Sequence, residues 1–239
     1  MFEHRGEFAG RKVVVFGDGS EIERATAHAF TDSGAKVAQT QDDTAADIDG
    51  GVDGIVERLG GLDVAVRYAT TRSREAAISA DPWAWREDVD RVLTGAFVVA
   101  QAAARAMSVQ GGGSIVLIGS VDATHAYPGR SAAAAAMSGL MGLTRALAVE
   151  FAPLNIRVNM VIPGPVLDER AREMADREPQ LLEQVRLRSP AHRLASPLEV
   201  TAAILFVAGK RAGFMTGQAL HVDGGWTSLN QAAQMLPNQ

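Results

Sequence analysis

The sequence predicts an α/β fold in which one doubly wound parallel sheet is covered by helices on both faces. Short apolar runs alternate along the chain with longer segments of helical periodicity, the pattern of successive strand–helix–strand units. The first apolar run ends in a glycine turn that opens a helix, as in many sheets of this kind. No linker-like shift in composition divides the 239 residues. We therefore expect a single domain over residues 1–239.

The strands are expected where short runs rich in valine, isoleucine and leucine are bounded by glycine or polar residues. These runs cover residues 13–16, 36–40, 62–66, 114–118, 156–161 and 220–222. Helical periodicity extends over residues 21–33, 85–107 and 131–151. Gly34 is expected to end the first helix, because glycine readily takes the conformation that follows a helix C-terminus. Strands and helices therefore alternate, which favours parallel strands joined by crossover helices.

The connection between the second strand and Leu62 is short. Only 21 residues lie between Thr40 and Leu62. A helix, a strand and a second helix would need about 27 residues before any loop. We therefore predict one crossover helix, from about residue 51 to residue 59, and a sheet that is shortened at this edge.

Composition excludes several classes of function. The formal net charge is −5 with acidic and basic residues interspersed, which gives no footprint for nucleic acid or an anionic membrane. The chain has no cysteine, and its five histidines show no paired ligand spacing, so neither thiolate chemistry nor a metal site is expected. Residues 1–11 lack the apolar core of a signal peptide. We also expect no stretch long and apolar enough to span a bilayer, and hence a cytoplasmic location.

Three stretches carry a resemblance to a known family. They are KVVVFGDGSEIERATA from residue 12, residues 113–165 with their IRVN and PGP motifs, and FMTGQALHVDGGW from residue 214. In these stretches the chain resembles the short-chain dehydrogenase/reductase superfamily over nearly its whole length. The resemblance implies a Rossmann-like fold. It also implies a four-helix dimer interface formed by the helix at 131–151 and the long helix before it, and a second interface near the carboxy-terminal strand.

The phosphate loop of that family, Thr-Gly-x-x-x-Gly-x-Gly, is altered here. Gly17 is kept, but Glu21 and Glu23 occupy the second and third glycine positions. Carboxylates at a helix N-terminus repel phosphate and can satisfy the free N–H groups themselves. They can also be ordinary first-turn acids that stabilise a helix. Both interpretations exclude a bound pyrophosphate, and we predict no cofactor.

Other positions that the resemblance assigns to the cofactor have also changed. The Asn-Asn-Ala-Gly motif reads Arg-Tyr-Ala-Thr at residues 67–70, with only Ala69 intact. Asp168 stands where the family commonly places a threonine against the nicotinamide. Gln41, Asp42 and Asp43 follow the second strand, where an acid would hold the ribose hydroxyls. These acids could still reach a ribose, but two carboxylates after a strand are more often a solvated turn.

The proton-transfer residues implied by the resemblance are missing. The family's Tyr-x-x-x-Lys pair corresponds to Ala133 and Met137, and its supporting asparagine corresponds to Val92. None of these side chains can transfer a proton. The substrate-orienting serine remains as Ser120, but without a base it is not activated. We predict that the chain has no catalytic residue and that Ser120 is a vestige.

Relocated chemistry is the alternative. His125 and Tyr127 lie between Ser120 and the following helix, and with Ser120 and Asp168 they are the candidate cleft residues for a cofactor-free reaction. The competing interpretation is a surface turn, because Tyr127 opens a Tyr-Pro-Gly sequence of the kind that turn chemistry explains.

The preserved framework around an eroded site favours assembly as the retained function. The first hypothesis is a non-catalytic pseudoenzyme subunit that pairs with an active NAD-dependent short-chain alcohol dehydrogenase paralogue in a hetero-oligomer. The pattern resembles the heterotetrameric alcohol dehydrogenases such as 2-(α-hydroxybenzyl)succinyl-CoA dehydrogenase, in which one subunit type lacks the cofactor and catalytic residues. The alternatives are a ligand-binding or regulatory protein that uses the old substrate cleft, and a cofactor-independent enzyme.

The segment 166–190, after the Pro-Gly motif, alternates acidic and basic residues. Alternating charge at helical spacing predicts a solvated helix. A surface that meets a partner is the alternative for this segment.

Overall fold

The computed structural model describes residues 6–40, 45–68 and 70–229. Six parallel strands form one sheet in the order β2-β1-β3-β4-β5-β6. The strands are β1 (Lys12–Phe16), β2 (Lys36–Thr40), β3 (Val64–Tyr68), β4 (Gly113–Ile118), β5 (Ile156–Pro163) and β6 (Ala219–Val222). The predicted α/β class, a Rossmann-like doubly wound parallel sheet, is therefore confirmed.

Helices connect these strands and cover both faces of the sheet. They are α1 (Glu21–Asp32), α2 (Ala45–Leu59), α3 (Pro82–Val89), α4 (Gly95–Ser108), α5 (Ser131–Phe151), α6 (Glu169–Arg177), α7 (Pro179–Arg188) and α8 (Pro197–Ala208). The single long helix predicted from residue 85 instead comprises α3 and α4, joined by a π-helical turn at Asp90–Thr94. It begins earlier than predicted because Asp81 caps it, accepting a hydrogen bond from Trp83 N at 3.1 Å.

Alternate side chains of each strand enter two separate hydrophobic cores. Val13 and Val15 of β1 pack with Phe30 of α1 and with α8. Val14, between them, faces the other side and packs in the core that contains α2, α4 and α5. Both faces of the sheet are thus buried, which is the usual condition of a parallel sheet.

The shortened edge is present. A single helix, α2, connects β2 to β3, and β2 is the edge strand of the sheet. The helix starts at Ala45, earlier than the predicted residue 51, and ends at Leu59 as predicted. Gly50 therefore lies inside the helix instead of preceding it, and Gly51 is an interior residue instead of the first one.

One expectation about membranes was wrong. The helical stretch Ser131–Leu154, which is α5 with the 3₁₀ turn after it, is long and apolar enough by length and composition to cross a membrane. In the structure α5 packs against β5 and α3, with Leu140 and Leu147 buried in the core. A helix with apolar residues on several faces is expected when neighbours cover more than one side of it.

Candidate functional site

The candidate site lies at the carboxyl ends of the strands, where the order of the sheet reverses between β1 and β3. Ligands of open α/β sheets bind at such switch points. A cleft of about 160 Å³ opens there. Among the residues that line it are Tyr68, Thr70, Ser120, Arg130, Met137 and Asp168.

The phosphate loop follows β1 and leads into α1. Ser20 caps the helix, and its Oγ accepts a hydrogen bond from Glu23 N at 3.3 Å. The side chain of Glu23 turns back toward the loop, where Oε2 accepts a hydrogen bond from Gly19 N at 2.7 Å. Only 2% of Glu23 is exposed. The glutamate thus satisfies a loop N–H group that would otherwise face an anion.

The space beside Gly17 is also taken by Glu23. A Cβ atom added to Gly17 would collide with Glu23 Oε2 and would lie 2.7 Å from Glu23 Cδ. This glycine surface is where the backbone of related loops approaches a pyrophosphate. The Glu23 carboxylate thus lies in the space beside Gly17, so a pyrophosphate could approach this glycine only if the Glu23 side chain moved.

Burial and neighbouring charges set the protonation of Glu23. Desolvation raises the pKa of Glu23, and the carboxylate of Asp18 raises it further. Hydrogen bonds from Gly19 and Ser20 and the positive charge of Arg67 lower it, but the net pKa shift is upward. Arg67 is itself 2% exposed and donates from Nη2 to Arg91 O at 3.3 Å. Two positions that the resemblance assigns to a glycine and an asparagine therefore hold buried groups of opposite charge.

Helix α6 lies over the phosphate loop and is joined to it by ion pairs. Arg24 of α1 pairs with Glu169 of α6 at 2.6 Å, and Arg172 of α6 pairs with Glu21. A third, longer contact of 3.9 Å joins Arg170 to Asp18. The prediction of a purely solvated helix was therefore incomplete, because its first-turn charges meet α1 and the loop.

Asp168 caps α6 and lines the cleft. Its Oδ1 accepts a hydrogen bond from Ala171 N at 2.8 Å, with an extended backbone typical of an N-cap. The cap role explains an acid at this position without any contact to a nicotinamide.

The predicted proton-transfer positions are buried and apolar. Ala133 and Met137 lie on the inner side of α5, and Val92 lies in the π-helical turn. Met137 faces the cleft. The apolar side chains of Ala133, Met137 and Val92 can pack, but none of them can donate or accept a proton.

Ser120 has a carboxylate partner that sequence reasoning missed. Its Oγ donates to Asp122 Oδ2 at 2.8 Å and accepts from Asp122 N at 3.2 Å. Arg130 grips the same carboxylate through Nε at 2.7 Å and Nη2 at 2.5 Å, and this hydrogen bonding raises the pKa of Arg130. The Ser-x-Asp spacing was the available signal, since serine commonly caps the turn it opens. The hydroxyl is oriented toward a carboxylate that is already ion-paired.

His125 and Tyr127 are not among the residues that line the cleft. His125 Nδ1 lies 3.2 Å from Thr124 Oγ1. The Tyr127 hydroxyl accepts a hydrogen bond from Trp226 Nε1 at 2.6 Å, and the Arg188 guanidinium lies over both rings. Of the four candidate cleft residues, the structure brings Ser120 and Asp168 to the cleft and places the other two elsewhere.

Tyr68 is a cleft residue that the sequence did not single out as one. It ends β3, where burial raises the pKa of its phenol and the carboxylates of Asp18 and Asp168 raise it further. A phenol with a raised pKa stays neutral, so Tyr68 can donate a hydrogen bond but is a poor acid. The other residues predicted near a ribose or in the altered motif, Gln41, Asp42, Asp43 and Ala69, lie outside the described residues.

A larger cavity of about 730 Å³ lies at the opposite edge, by the amino ends of the strands. Two of its cations have partners within the fold: Arg11 pairs with Asp63 at 2.8 Å, and Arg157 donates to backbone carbonyls that include Val207 O at 2.8 Å. Those contacts connect elements of the fold, so this cavity is not the candidate site. Within the described ranges, no group of three or more His, Asp or Glu residues is placed to hold a metal ion.

Comparison with known proteins identifies relatives along the whole chain. A family model described as enoyl-(acyl carrier protein) reductase matches residues 8–227. An uncharacterized oxidoreductase of Schizosaccharomyces pombe is 32% identical over 92% of both chains. The 2-(R)-hydroxypropyl-CoM dehydrogenase of Xanthobacter autotrophicus is 32% identical over 87% of this chain and 84% of its own. The ligand-free structure of Thermoplasma acidophilum aldohexose dehydrogenase superposes with a TM-score of 0.89 at 26% identity, covering 98% of this chain and 100% of the other.

Proposed function

The chain belongs to the short-chain dehydrogenase/reductase family of oxidoreductases, and from that premise we propose that it is a non-catalytic subunit of a hetero-oligomeric oxidoreductase. Its partner is an active, NAD-dependent short-chain alcohol dehydrogenase of the same family. The observation that carries the proposal is the Glu23 carboxylate, which lies against Gly17 and accepts from Gly19 N. The loop is occupied by the chain itself where relatives of this fold bind a phosphate.

The catalytic positions support the same proposal. A positioned acid or base typically contributes about a hundred- to ten-thousandfold to a rate. Ala133 and Met137 supply neither, and the proton of Ser120 is directed to an ion-paired carboxylate. Relocation to His125 and Tyr127 gains no support from the geometry, because their contacts are with Thr124 and Trp226.

The outer face of α5 supports assembly. Ala135, Ala146 and Val149 are exposed on this helix, and Val149 is 77% exposed. Apart from the adjoining backbone of α5 itself, no heavy atom of the described residues lies within 4 Å of the place where a Cβ atom on Gly142 would stand. Small outward residues let the axes of two helices approach closely. The four-helix interface implied by the resemblance would use this face.

The proposal is tested by titrating NADH and NADPH into the isolated chain by calorimetry. We expect no binding by the chain alone. After co-expression with a family paralogue, we expect a stable complex that binds about one dinucleotide per two chains, while the paralogue by itself binds normally. Micromolar binding by the isolated chain would sink the proposal.

A ligand-binding or regulatory role in the cleft is the second candidate. It is favoured by polar groups that converge on the cleft from different segments, Thr70, Ser120 and Arg130, above the apolar Met137. Sites for small molecules commonly combine a few placed polar groups with apolar walls. A panel of small metabolites tested by thermal shift on the isolated chain, with Arg130→Met as the comparison, separates this role from that of a silent subunit. A ligand that stabilises the wild type and not the variant would favour it.

A further inference from the structure

We propose that the chain carries its own substitute for a cofactor phosphate, the Glu23 carboxylate, and that α6 is latched over it by the ion pairs to α1 and the phosphate loop. The latch is defined as Arg24–Glu169, Glu21–Arg172 and Asp18–Arg170. These ion pairs between the chain's own side chains hold α6 over the phosphate loop. The inference goes beyond the role of a silent subunit and concerns the conformation of the isolated chain.

The first step is the position of the carboxylate. A helix N-terminus presents free N–H groups and a partial positive charge, so it favours an anion. Glu23 Oε2 lies 2.7 Å from Gly19 N and against Gly17, and the residue is almost completely buried. An intramolecular anion thus occupies the place to which an external phosphate would otherwise come.

The second step is charge balance. A buried carboxylate is costly unless an opposite charge or hydrogen bonds compensate it. Burial raises the pKa of Glu23, and the amide of Gly19 and the charge of Arg67, on the strand next to β1, offset part of that cost. The groups that offset it all belong to the chain.

The third step is the attachment of α6. Ala171 is its only buried residue among those described, so apolar packing contributes little to holding it in place. All three members of the latch on α6, Glu169, Arg170 and Arg172, lie in its first half. Ion pairs between exposed side chains weaken as salt screens them. The attachment of α6 should therefore depend on ionic strength.

The fourth step extends the closure to the segment after β3. Thr70 Oγ1 donates to Asp18 Oδ2 at 3.2 Å, and the same Asp18 oxygen faces Arg170. Asp18 thereby joins three segments, the loop after β1, the segment after β3 and α6. If α6 moves away from the phosphate loop, the contacts of Asp18 with Thr70 and with Arg170 must therefore break together.

Amide hydrogen exchange on the isolated chain tests the latch. Between about 0.05 M and about 0.5 M sodium chloride, we expect exchange within α6 to become at least about threefold faster, since the Debye length shrinks and exposed pairs weaken. Exchange within α8, which is held by buried apolar contacts, should not change. Equal rates in α6 at both salt concentrations would overturn the latch.

Substitutions identify the pairs. Arg172→Gln and Glu21→Gln should each accelerate exchange in α6 about threefold at low salt. The double variant should do little more than Arg172→Gln alone, which removes both the pair with Glu21 and the hydrogen bond from Arg172 Nη1 to Leu167 O. Arg177→Gln is the matched control: Arg177 lies on the same helix and makes no ion pair within the described residues. Additive effects of the two single variants, or an equal effect of the control, would contradict the assignment.

The substitution Glu23→Gln removes the negative charge of the Glu23 carboxylate with little change in side-chain shape, and so tests whether that carboxylate takes the place of a phosphate. Charge-assisted hydrogen bonds are roughly twice as strong as neutral ones, so the Gly19 amide should exchange about threefold or more faster in the variant, and Glu57→Gln on α2 should leave it unchanged. An unprotected Gly19 amide in the wild type would show that the carboxylate is not there. These measurements use neither nucleotide nor partner, so the latch and the proposed function can fail separately.

Discussion

Helices α1 and α8 begin with the same sequence pattern and use it differently. Each opens with Ser-x-x-Glu, at Ser20–Glu23 and at Ser196–Glu199. At α8 the pattern forms a complete capping box, in which Glu199 accepts from Ser196 N at 2.8 Å and also pairs with Arg193 in solvent. At α1 the serine caps in the same way, but the Glu23 carboxylate reaches past it to Gly19 N.

The difference lies in burial. Glu199 keeps 41% of its side chain exposed, whereas Glu23 is sealed between Gly17 and the end of the sheet. One motif thus stabilises a helix at α8, and at α1 its glutamate also fills the space beside Gly17. The structure shows Glu23 as a first-turn acid of α1 whose carboxylate accepts from the loop amide of Gly19. That it also excludes pyrophosphate is part of the proposed function and is what the next experiment tests.

The largest expected effect comes from replacing the first-turn glutamates of α1 with glycine, which removes the feature that distinguishes α1 from α8. A carboxylate about 5 Å from a phosphate costs on the order of 3 kcal/mol at an effective dielectric near 20. The double variant Glu21→Gly/Glu23→Gly should therefore gain up to about ten-thousandfold in affinity for NADH over the wild type. Calorimetric titration measures it.

The matched control for that experiment is Glu57→Gly, which makes the same chemical change on the exposed side of α2. It should not alter NADH binding. A folded double variant that still binds no dinucleotide would show that the carboxylates are not the decisive obstacle, and would direct attention to the shortened edge beside β2.

Much of the framework around these helices was predictable from sequence, because it depends on local pattern. The bounds of α5 were predicted correctly, and β2 begins and ends where the pattern placed it. The start of α2 and the π-helical turn at Asp90–Thr94 were not predicted. The π-helical turn packs against α5 and α2, and periodicity does not contain such tertiary contacts.

The site was less predictable, because its contacts join distant parts of the chain. Sequence identified Glu21 and Glu23 as replacements, but not Arg172 as the partner of Glu21, 151 positions away. It offered Tyr127 either as a candidate cleft residue or as part of a surface turn, but it did not identify Trp226, 99 positions away, as the donor to the Tyr127 hydroxyl. A motif states which residue is present, and only the fold determines which group it meets.

The serine caps provide an effect of intermediate size. Ser196→Ala should lower the free energy of unfolding by about 1 kcal/mol, the usual cost of losing an N-cap. Ser20→Ala should cost about as much, because Ser20 Oγ likewise accepts a hydrogen bond from the third helical residue, Glu23 N. Urea unfolding of both variants measures the two costs, and an unchanged Ser20→Ala variant would mean that the serine adds no stability at the start of α1.

The smallest expected effect is the pH dependence that Glu23 and Glu199 give to the free energy of unfolding, and it distinguishes the two residues by its sign. Burial raises the pKa of Glu23 above its ordinary 4.5, so the folded state binds that proton more tightly than the unfolded state. Its contribution to stability is then fully present below pH 4.5 and is lost as the pH rises through the folded pKa. Arg193 and Ser196 lower the pKa of Glu199 to about 2, so its contribution is present above pH 4.5 and is lost as the pH falls toward 2.

Glu23→Gln and Glu199→Gln should therefore shift stability in opposite senses. Relative to the wild type, Glu23→Gln should gain stability as the pH rises above 4.5, because it removes a carboxylate that burial disfavours. Between about pH 2 and pH 4.5, Glu199→Gln should lose stability relative to the wild type as the pH rises, by less than about 1 kcal/mol, since solvent screens its exposed pair with Arg193. Above pH 4.5 that difference should stay constant. Urea unfolding from about pH 2 to pH 7 measures both slopes. Parallel slopes would mean that Glu23 behaves as a second ordinary cap, and the carboxylate would then have no special place in the phosphate loop.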